Sequence, residues 1–294
     1  MRQVALTLLY GLSQIFFQSK AVPGLLILVA FAMASWKMAL LVVIGSACSS
    51  FGGLLMRIPV SAVSNGHQGF CGALVGAAAY SALGGGWMGI LAAVLGGLAC
   101  EPVTWGLAHG FNTPLLKPLQ LPYTTSPFCV VGGMLYFASA GHHVVHDVIE
   151  LDDSLPKDFV RSILTNISQV VLVDSFIAGG LILLALFIAH WKVGLAAVLG
   201  SAVESSMAIL AGQDAVDLGR GLLGYSGVLV AIAMAAVFLK GTWQPWVMAV
   251  VGTVMAGGIT MLVQDWSAVY TWPYVITTWI LLAVTHYVPW IKRA

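Results

Sequence analysis

Three acidic residues stand in or near long apolar stretches of the sequence: Glu101, Asp174 and Glu204. An ionisable side chain inside a membrane span marks an ion or proton pathway by default, because burying its charge is costly. Glu101 precedes Pro102, and Asp174 lies at a predicted helix end, so hydrogen bonding that supports the fold is favoured for both. Glu204 follows an apolar run, and its role stays open.

The segment HHVVHD, residues 142–147, is a second group with chemical potential. Imidazoles and carboxylates bind zinc when their donors converge. These lie in a polar junction with no matching cluster elsewhere, so neither a metal nor any other cofactor is predicted. The four cysteines lack metal-binding or redox spacing and are interpreted as buried free thiols: Cys48, Cys71, Cys100 and Cys129.

One short phrase occurs twice, as GFCGALVGAAAY at 69–80 and as GYSGVLVAIAMA at 224–235. Each copy follows a polar, glycine-containing stretch, SNGHQG or DLGRGLLG. Non-helical backbone at membrane depth is tolerated only where it lines a water-filled cavity or is buried in protein. The phrase therefore predicts two short helices beside a passage. The alternative is that its glycines only allow close helix packing.

The composition indicates a membrane protein that spans the bilayer several times. Of 294 residues, 60% are hydrophobic and 8% are charged, whereas soluble domains carry about 25% charged residues. Apolar runs long enough for spanning helices recur along the chain. The formal net charge of +1 gives no indication of a nucleic-acid partner.

The two halves of the chain repeat each other. Gln14 aligns with Gln169, Phe70 with Tyr225, and SWK at 35–37 with HWK at 190–192, all at an offset of 155 residues. Pro127 then aligns with Pro273 at an offset of 146. We therefore divide the chain into a first repeat at 1–145, a polar junction at 146–159 and a second repeat at 160–294.

Each repeat contains five predicted spans and one short helix. The first has spans near 3–18, 22–35, 38–56, 86–108 and 122–141, with the short helix near 69–83. The second has spans near 160–174, 177–190, 193–211, 243–264 and 270–290, with the short helix near 224–239. Because five is odd, the second copy must enter from the opposite side. The prediction is an all-α protein of ten transmembrane helices and two re-entrant half-helices in an inverted repeat.

Several motifs carry a family resemblance. They are Gln-x-x-Phe at 14–17, the glycine–aromatic–x–glycine–x–leucine phrase in both short helices, and LPYTTSPF at 121–128. On these motifs the chain resembles the urea transporter family over nearly its full length. The family's aromatic-Asn-Gly is Phe-Cys-Gly and Tyr-Ser-Gly here, and the second copy of the last motif, AVYTWPY, lacks Leu-Pro. These departures indicate a divergent bacterial member.

The resemblance implies a channel rather than an enzyme, with one pore per protomer between inverted halves and three protomers per assembly. It implies two flat slots flanking a threonine-lined centre, with one glutamine near each slot. By position, the first slot is Phe17, Phe70 and Leu74; the second is Leu172, Tyr225 and Leu229; the centre is Thr125 and Thr271; and the glutamines are Gln14 and Gln169. Carbonyl acceptors precede the half-helices at His67, Gln68 and Gly69 and at Leu222, Leu223 and Gly224.

Urea suits such a pore. It is planar and neutral, so apolar faces accept it while a hydrated ion would have to lose water against neutral dipoles. Its amide edge needs acceptors, because a bare buried polar group costs about 1–3 kcal/mol. Carbonyl and threonine oxygens in a row supply several weak sites, which favours throughput over tight binding.

Two alternatives remain open: a channel for ammonia, water or short amides, and a membrane-embedded metalloenzyme using the histidines and Glu204. The sequence favours passive flux of urea, because no chain of membrane-buried charges is available for proton or sodium coupling. The expected location is the bacterial inner membrane, with the lipid bilayer as surroundings.

Overall fold

A computed structural model describes residues 2–145 and 154–294. The regular secondary structure in these residues is helical apart from one short strand pair. The helices are α1 Arg2–Gln14, α2 Ala21–Ala34, α3 Trp36–Leu55, α4 Val60–Ser64, α5 Gly69–Leu83, α6 Trp87–Phe111, α7 Ser126–Ala138, α8 Leu155–Gln169, α9 Phe176–Ala189, α10 Trp191–Leu210, α11 Ala215–Gly219, α12 Tyr225–Ile232, α13 Gln244–Val263 and α14 Trp272–His286. A 3-10 turn covers Lys117–Leu119, a π-helical turn covers Ala233–Phe238, and strands β1 (Leu239–Lys240) and β2 (Lys292–Arg293) pair antiparallel.

The helix boundaries reproduce the repeat seen in the sequence. Helices α2, α3 and α4 coincide with α9, α10 and α11 when 155 is added to each residue number, and α7 begins 146 residues before α14. Each half therefore contains the same seven helices in the same order. Inversion of one half relative to the other stays a prediction.

The described chain forms two compact units. The first holds residues up to Leu107 and those from Thr125 to 145, and the second holds Ala108–Thr124 and 154–294. Residues 108–124 join the second unit because they pack on α14. Trp279 Nε1 donates to the Pro122 carbonyl oxygen at 2.7 Å, and the rings of Phe111 and Trp279 meet edge to face at 5.3 Å.

Four helices, α3, α6, α10 and α13, are long and apolar enough to cross a membrane. The other six predicted spans form helices of 13–15 residues, whereas about 20 apolar residues are needed to cross the hydrocarbon core. They end earlier than predicted because turns and extended segments follow, as at residues 15–20. The all-helical membrane class is confirmed, and the count of ten spans stays a prediction.

Helix α8 begins at Leu155, inside the segment predicted to be a junction, rather than near 160. Ser154 is its N-cap, and Pro156 lies in the first turn, where a missing N–H costs nothing. Asp158 Oδ2 accepts from the Ser154 backbone N–H at 3.2 Å. This bond corresponds to the carboxylate half of a capping box at a longer spacing, since the Ser154 side chain makes no capping bond, and the usual sequence signature does not detect it.

Glycines allow α3 and α5 to touch backbone to backbone. A Cβ added to Gly72 would lie 2.2 Å from the carbonyl oxygen of Gly45, and one added to Gly76 would lie 2.2 Å from that of Leu41. The second unit repeats the contact, since a Cβ on Gly200 would lie 2.3 Å from the Gly227 carbonyl oxygen. Close packing therefore accounts for the glycines of the doubled phrase, but not for its aromatic residues.

Candidate functional site

In the first unit, the end of α1 places Phe17 in a conformation that side chains rarely adopt. The Phe17 N–H donates to the Gln14 carbonyl, the Gln18 N–H donates to the Ser13 carbonyl, and Phe17 has φ +62°. This pair of bonds is a Schellman motif, whose left-handed position is usually glycine. A phenylalanine there costs about 1–3 kcal/mol of backbone strain. The strain indicates that the side chain itself is required at this position.

Leu172 occupies the same strained position in the second unit. Its N–H donates to the Gln169 carbonyl, the Val173 N–H donates to the Ser168 carbonyl, and its φ is +61°. Phe17 and Leu172 are both half-buried. Strained residues of this kind cluster at functional sites, and these are the two residues predicted to begin the slots.

Gln14 and Gln169 are held by equivalent backbone oxygens. Gln14 Nε2 donates to the Asn65 carbonyl oxygen at 3.3 Å, and Gln169 Nε2 donates to the Arg220 carbonyl oxygen at 3.1 Å. Both acceptors lie in the turn before a half-helix. In the described chain neither side-chain oxygen, Oε1, accepts a hydrogen bond. Each glutamine thus orients one acceptor that a solute could use.

The same turns are tied a second time, by different chemistry in each unit. In the first, the Ser19 hydroxyl donates to the Asn65 carbonyl oxygen at 3.1 Å and lies 2.6 Å from Gln14 Nε2. In the second, Asp174 accepts from Arg220, with Nε and Oδ2 3.0 Å apart. Asp174 therefore serves the structure, as its position at a helix end indicated.

The half-helices present one partly accessible aromatic ring each, followed by a buried leucine. Phe70 is 9% exposed, Tyr225 is half-buried, and Leu74 and Leu229 are at most 1% exposed. Leu74 and Leu229 lie one helical turn after the aromatic residues, and their place in the slots stays a prediction.

The backbone before each half-helix is irregular, as predicted. His67 is exposed and Gln68 is buried, and the Gly69 N–H donates to the Gly66 carbonyl at 3.1 Å. In the second unit the Gly224 carbonyl accepts from the Val228 N–H at 3.4 Å. The carbonyls of residues 222 and 223 accept no hydrogen bond from the described chain, which leaves two oxygens available to a ligand.

The Tyr225 hydroxyl supports the loop that precedes α14. It donates to the Tyr270 carbonyl oxygen at 2.8 Å. Tyr270 is itself left-handed, with φ +45°, and directly precedes Thr271. The hydroxyl is thus engaged as a donor with the protein.

Thr125 and Thr271 occupy matching positions at the N-caps of α7 and α14. Both are buried, at 3% and 2% exposure, and both have φ −91°. Neither hydroxyl caps its own helix, and a proline follows in each first turn. Their place at the centre of a pore stays a prediction.

Glu101 contributes to packing at the start of α5. Its Oε1 lies 2.9 Å from the Ser49 hydroxyl, which also contacts the Gln68 carbonyl oxygen. Gly52, on α3, packs against its side chain. Sequence reasoning did not identify Ser49, although its alignment with Glu204 at an offset of 155 is the signal that could have found it.

Glu204 holds the N-terminus of the second half-helix. Its Oε2 accepts from the Gly227 N–H, and its Oε1 lies 3.4 Å from the Thr260 hydroxyl. The carboxylate is fully buried. A helix N-terminus has unpaired N–H groups and a positive dipole end, both of which favour a carboxylate there. Glu204 is therefore assigned a positioning role, which resolves the question left open by the sequence.

This assignment predicts different outcomes for two substitutions. Glu204→Gln keeps an acceptor for the Gly227 N–H, so we expect folded protein and unchanged pH dependence of flux. Glu204→Leu leaves that N–H unpaired, at a cost of about 1–3 kcal/mol, and should lower the melting temperature in detergent. Flux that depends on pH in the parent protein but not in Glu204→Gln would instead indicate that Glu204 carries protons.

Metal binding receives no support from the described residues, which contain no group of three or more potential ligands. His143 contacts Ser139 and the Tyr136 carbonyl oxygen at 3.1 and 3.0 Å. Residues 146 and 147 of the histidine segment lie outside the described residues.

Comparisons with known proteins show the family of the chain. A sequence profile described as "Urea transporter" matches residues 5–286. The chain belongs to the urea transporter family. Urea transporter 1 of Capra hircus is 26% identical over 296 residues, covering 94% of this chain and 76% of that protein. Urea transporter 1 of Mus musculus is 26% identical over 306 residues, covering 97% and 78%. The family resemblance inferred from the motifs is confirmed.

Membership in the urea transporter family makes the chain a multi-pass membrane protein, in keeping with its apolar helices. The internal sequence repeat accounts for the shared local structure of the two units. The partners missed by sequence reasoning are mostly backbone carbonyls, at Asn65, Arg220 and Tyr270. The dipeptide Asn65-Gly66 is a turn signal that could have indicated the first of them.

Proposed function

We propose that this chain is a channel through which urea moves passively down its gradient. The observation that carries the proposal is the pair of half-sites, each built from a strained slot residue, an oriented glutamine and a half-helix. Family membership and relatives named urea transporter support urea as the solute. Both buried glutamates are tied to helix packing, which favours a pore without ion coupling.

In this proposal both half-sites contribute to one pore per protomer, and three protomers assemble in the bacterial inner membrane. The first slot is formed by Phe17, Phe70 and Leu74, the second by Leu172, Tyr225 and Leu229, and the centre by Thr125 and Thr271. The glutamine and carbonyl oxygens accept from the urea amide groups as it passes. The fold has ten spans and two half-helices in inverted halves.

Stopped-flow efflux from proteoliposomes tests this function. Liposomes with the purified full-length chain should release urea much faster than protein-free liposomes, with water and ammonia permeability measured in the same preparations. Urea release equal to that of protein-free liposomes would contradict the proposal. A rise in ammonia or water permeability without urea release would favour the alternative neutral-solute channel.

The inverted architecture predicts that the junction and the termini lie on opposite sides of the membrane. In a cysteine-free background, Val145→Cys, at a position that is 98% exposed, should react with a membrane-impermeant maleimide from the side opposite to Ala294→Cys. Labelling of both from the same side would exclude an odd number of spans per repeat.

The two slots should differ in how strictly they select planar solutes. Phe17 and Phe70 carry flat rings, whereas Leu172 is branched and the Tyr225 hydroxyl is fixed to Tyr270. We expect Phe70→Ala to raise the permeability of a non-planar neutral solute relative to urea, and Leu172→Ala to raise it less. The assay compares both solutes in liposomes, normalised to folded protein.

The control for that experiment is Phe31→Ala, a fully buried aromatic of α2 outside the half-site. It should lower stability by about 3–5 kcal/mol without changing the permeability ratio. A ratio in Phe70→Ala that equals the ratios of the parent and Phe31→Ala would remove the first slot as the filter.

A further inference from the structure

Four basic residues lie on three segments of the second unit, Lys117, Lys240, Lys292 and Arg293, and the two lysines of the strand pair, Lys240 and Lys292, are here called the basic patch. Strands β1 and β2 place Lys240 directly opposite Lys292. Side chains opposite each other in an antiparallel pair lie on the same face, about 4.5–5.5 Å apart at Cβ, and like charges there repel. The fold thus brings two positive charges together.

Arg293, the next residue of β2, points to the opposite face of the strand pair from the patch and ties a third segment to that pair. One of its terminal nitrogens donates to the Leu119 carbonyl oxygen, which fixes the turn that contains Lys117. Its Nε and other terminal nitrogen are buried without a partner. Next to it, the Ala294 N–H donates to the Phe238 carbonyl at 2.9 Å. The end of the chain is therefore held against two other segments of the second unit.

Within residues 2–145 and 154–294, no carboxylate forms an ion pair with any of the four side chains. The Lys117, Lys240 and Lys292 side chains are exposed. The N-terminus of the 20-residue helix α13 begins four residues after Lys240 and adds the positive end of its dipole. An anion is the missing partner of this surface.

The surroundings of the patch indicate where the anion comes from. Trp243 and Trp290 stack at 6.1 Å beside the strand pair and are 57% and 60% exposed, as tryptophans at the headgroup level of a membrane are. From Trp243 an exposed apolar stripe continues along α13 through Val247, Val251 and Val254. A positively charged surface next to an exposed apolar stripe matches an anionic phospholipid, which has a charged headgroup and apolar chains, rather than a soluble anion.

We propose that the basic patch binds the phosphate of an anionic phospholipid whose acyl chain lies along α13. The patch includes Lys292, which lies near the C-terminus. The positive charge of the patch predicts that it lies on the cytoplasmic side of the membrane, where anionic lipids attract basic residues. This inference goes beyond urea permeation and requires only that the protein lies in a membrane.

The test is a thermal-shift titration of the purified full-length chain in detergent. Phosphatidylglycerol should raise the melting temperature and phosphatidylcholine should not. Replacing both lysines, Lys240→Gln with Lys292→Gln, should weaken the apparent affinity for phosphatidylglycerol about 30-fold, given the usual contribution of each basic residue near a membrane surface. The charge-preserving pair Lys240→Arg with Lys292→Arg should retain the affinity.

Lys37→Gln with Lys192→Gln is the matched control. It removes the same charge from two lysines that each lie 5.8 Å from the ring of a tryptophan at a helix start, and it should leave the affinity for phosphatidylglycerol unchanged. Equal affinity in the parent and the Lys240→Gln/Lys292→Gln pair would overturn the proposal. Equal stabilisation by inorganic phosphate would overturn its assignment to a lipid.

Discussion

Gly72→Ala is expected to destabilise the folded protein strongly. The added methyl group would lie 2.2 Å from the Gly45 carbonyl oxygen and 2.5 Å from the Ser49 Cβ. The nearest atom is a backbone oxygen, which cannot move away as a side chain could. Helices α3 and α5 must therefore separate to make room for the methyl group. Overpacking costs about 1–3 kcal/mol in ordinary cores, and this contact should reach or exceed the upper end. The melting temperature in detergent should fall by at least about 6 °C.

Gly133→Ala is the matched control, because it lies on a helix of the same unit and an added Cβ there meets nothing within 4 Å. It should keep or slightly raise the melting temperature, since alanine favours helices over glycine. Equal melting temperatures for Gly72→Ala and Gly133→Ala would contradict the backbone-to-backbone packing of α3 on α5.

The second large effect concerns the two buried threonines at the starts of α7 and α14. Thr125→Val and Thr271→Val keep the side-chain size and remove one oxygen each. If each hydroxyl accepts from urea with about 0.5–1.5 kcal/mol, each variant should lose flux several-fold and the pair about ten-fold or more. Stopped-flow efflux, normalised to folded protein, measures the loss.

Two controls separate a lost acceptor from a disturbed fold. Thr125→Ser with Thr271→Ser keeps both hydroxyls and should keep most of the flux. Thr104→Val with Thr285→Val removes two other buried hydroxyls, which bond to carbonyls of their own helices, and should leave flux unchanged. Parental flux in the Thr125→Val/Thr271→Val pair would move the constriction elsewhere.

The sequence predicted the repeat and the long elements well, because helix period and offset are properties of many residues at once. Helix α5 begins at Gly69 and ends at Leu83, as predicted. The second short helix was predicted as one piece over 224–239, whereas α12 changes to a π-helical turn at Ala233. A local change in hydrogen-bond spacing leaves no mark in hydrophobic periodicity.

The candidate site residues were predicted from motif similarity, but their backbone geometry was not predictable from the sequence. Motif similarity indicated Phe17 and Leu172. Their left-handed backbone was not predictable, because a sequence normally indicates that conformation by a glycine, and neither residue is glycine. Backbone acceptors such as the Tyr270 carbonyl were also missed, since every residue has a carbonyl and only the fold decides which one a side chain reaches. The role of Glu204 required the position of the Gly227 N–H.

The most direct test of passive urea permeation is urea flux in proteoliposomes under imposed ion gradients. The rate of urea efflux should rise linearly with the urea gradient over a wide range and should be the same with and without a proton or sodium gradient. This follows from two half-sites that offer neutral oxygens, with Glu101 and Glu204 held in helix packing. Accumulation of urea against its own gradient when a proton or sodium gradient is imposed would contradict the account.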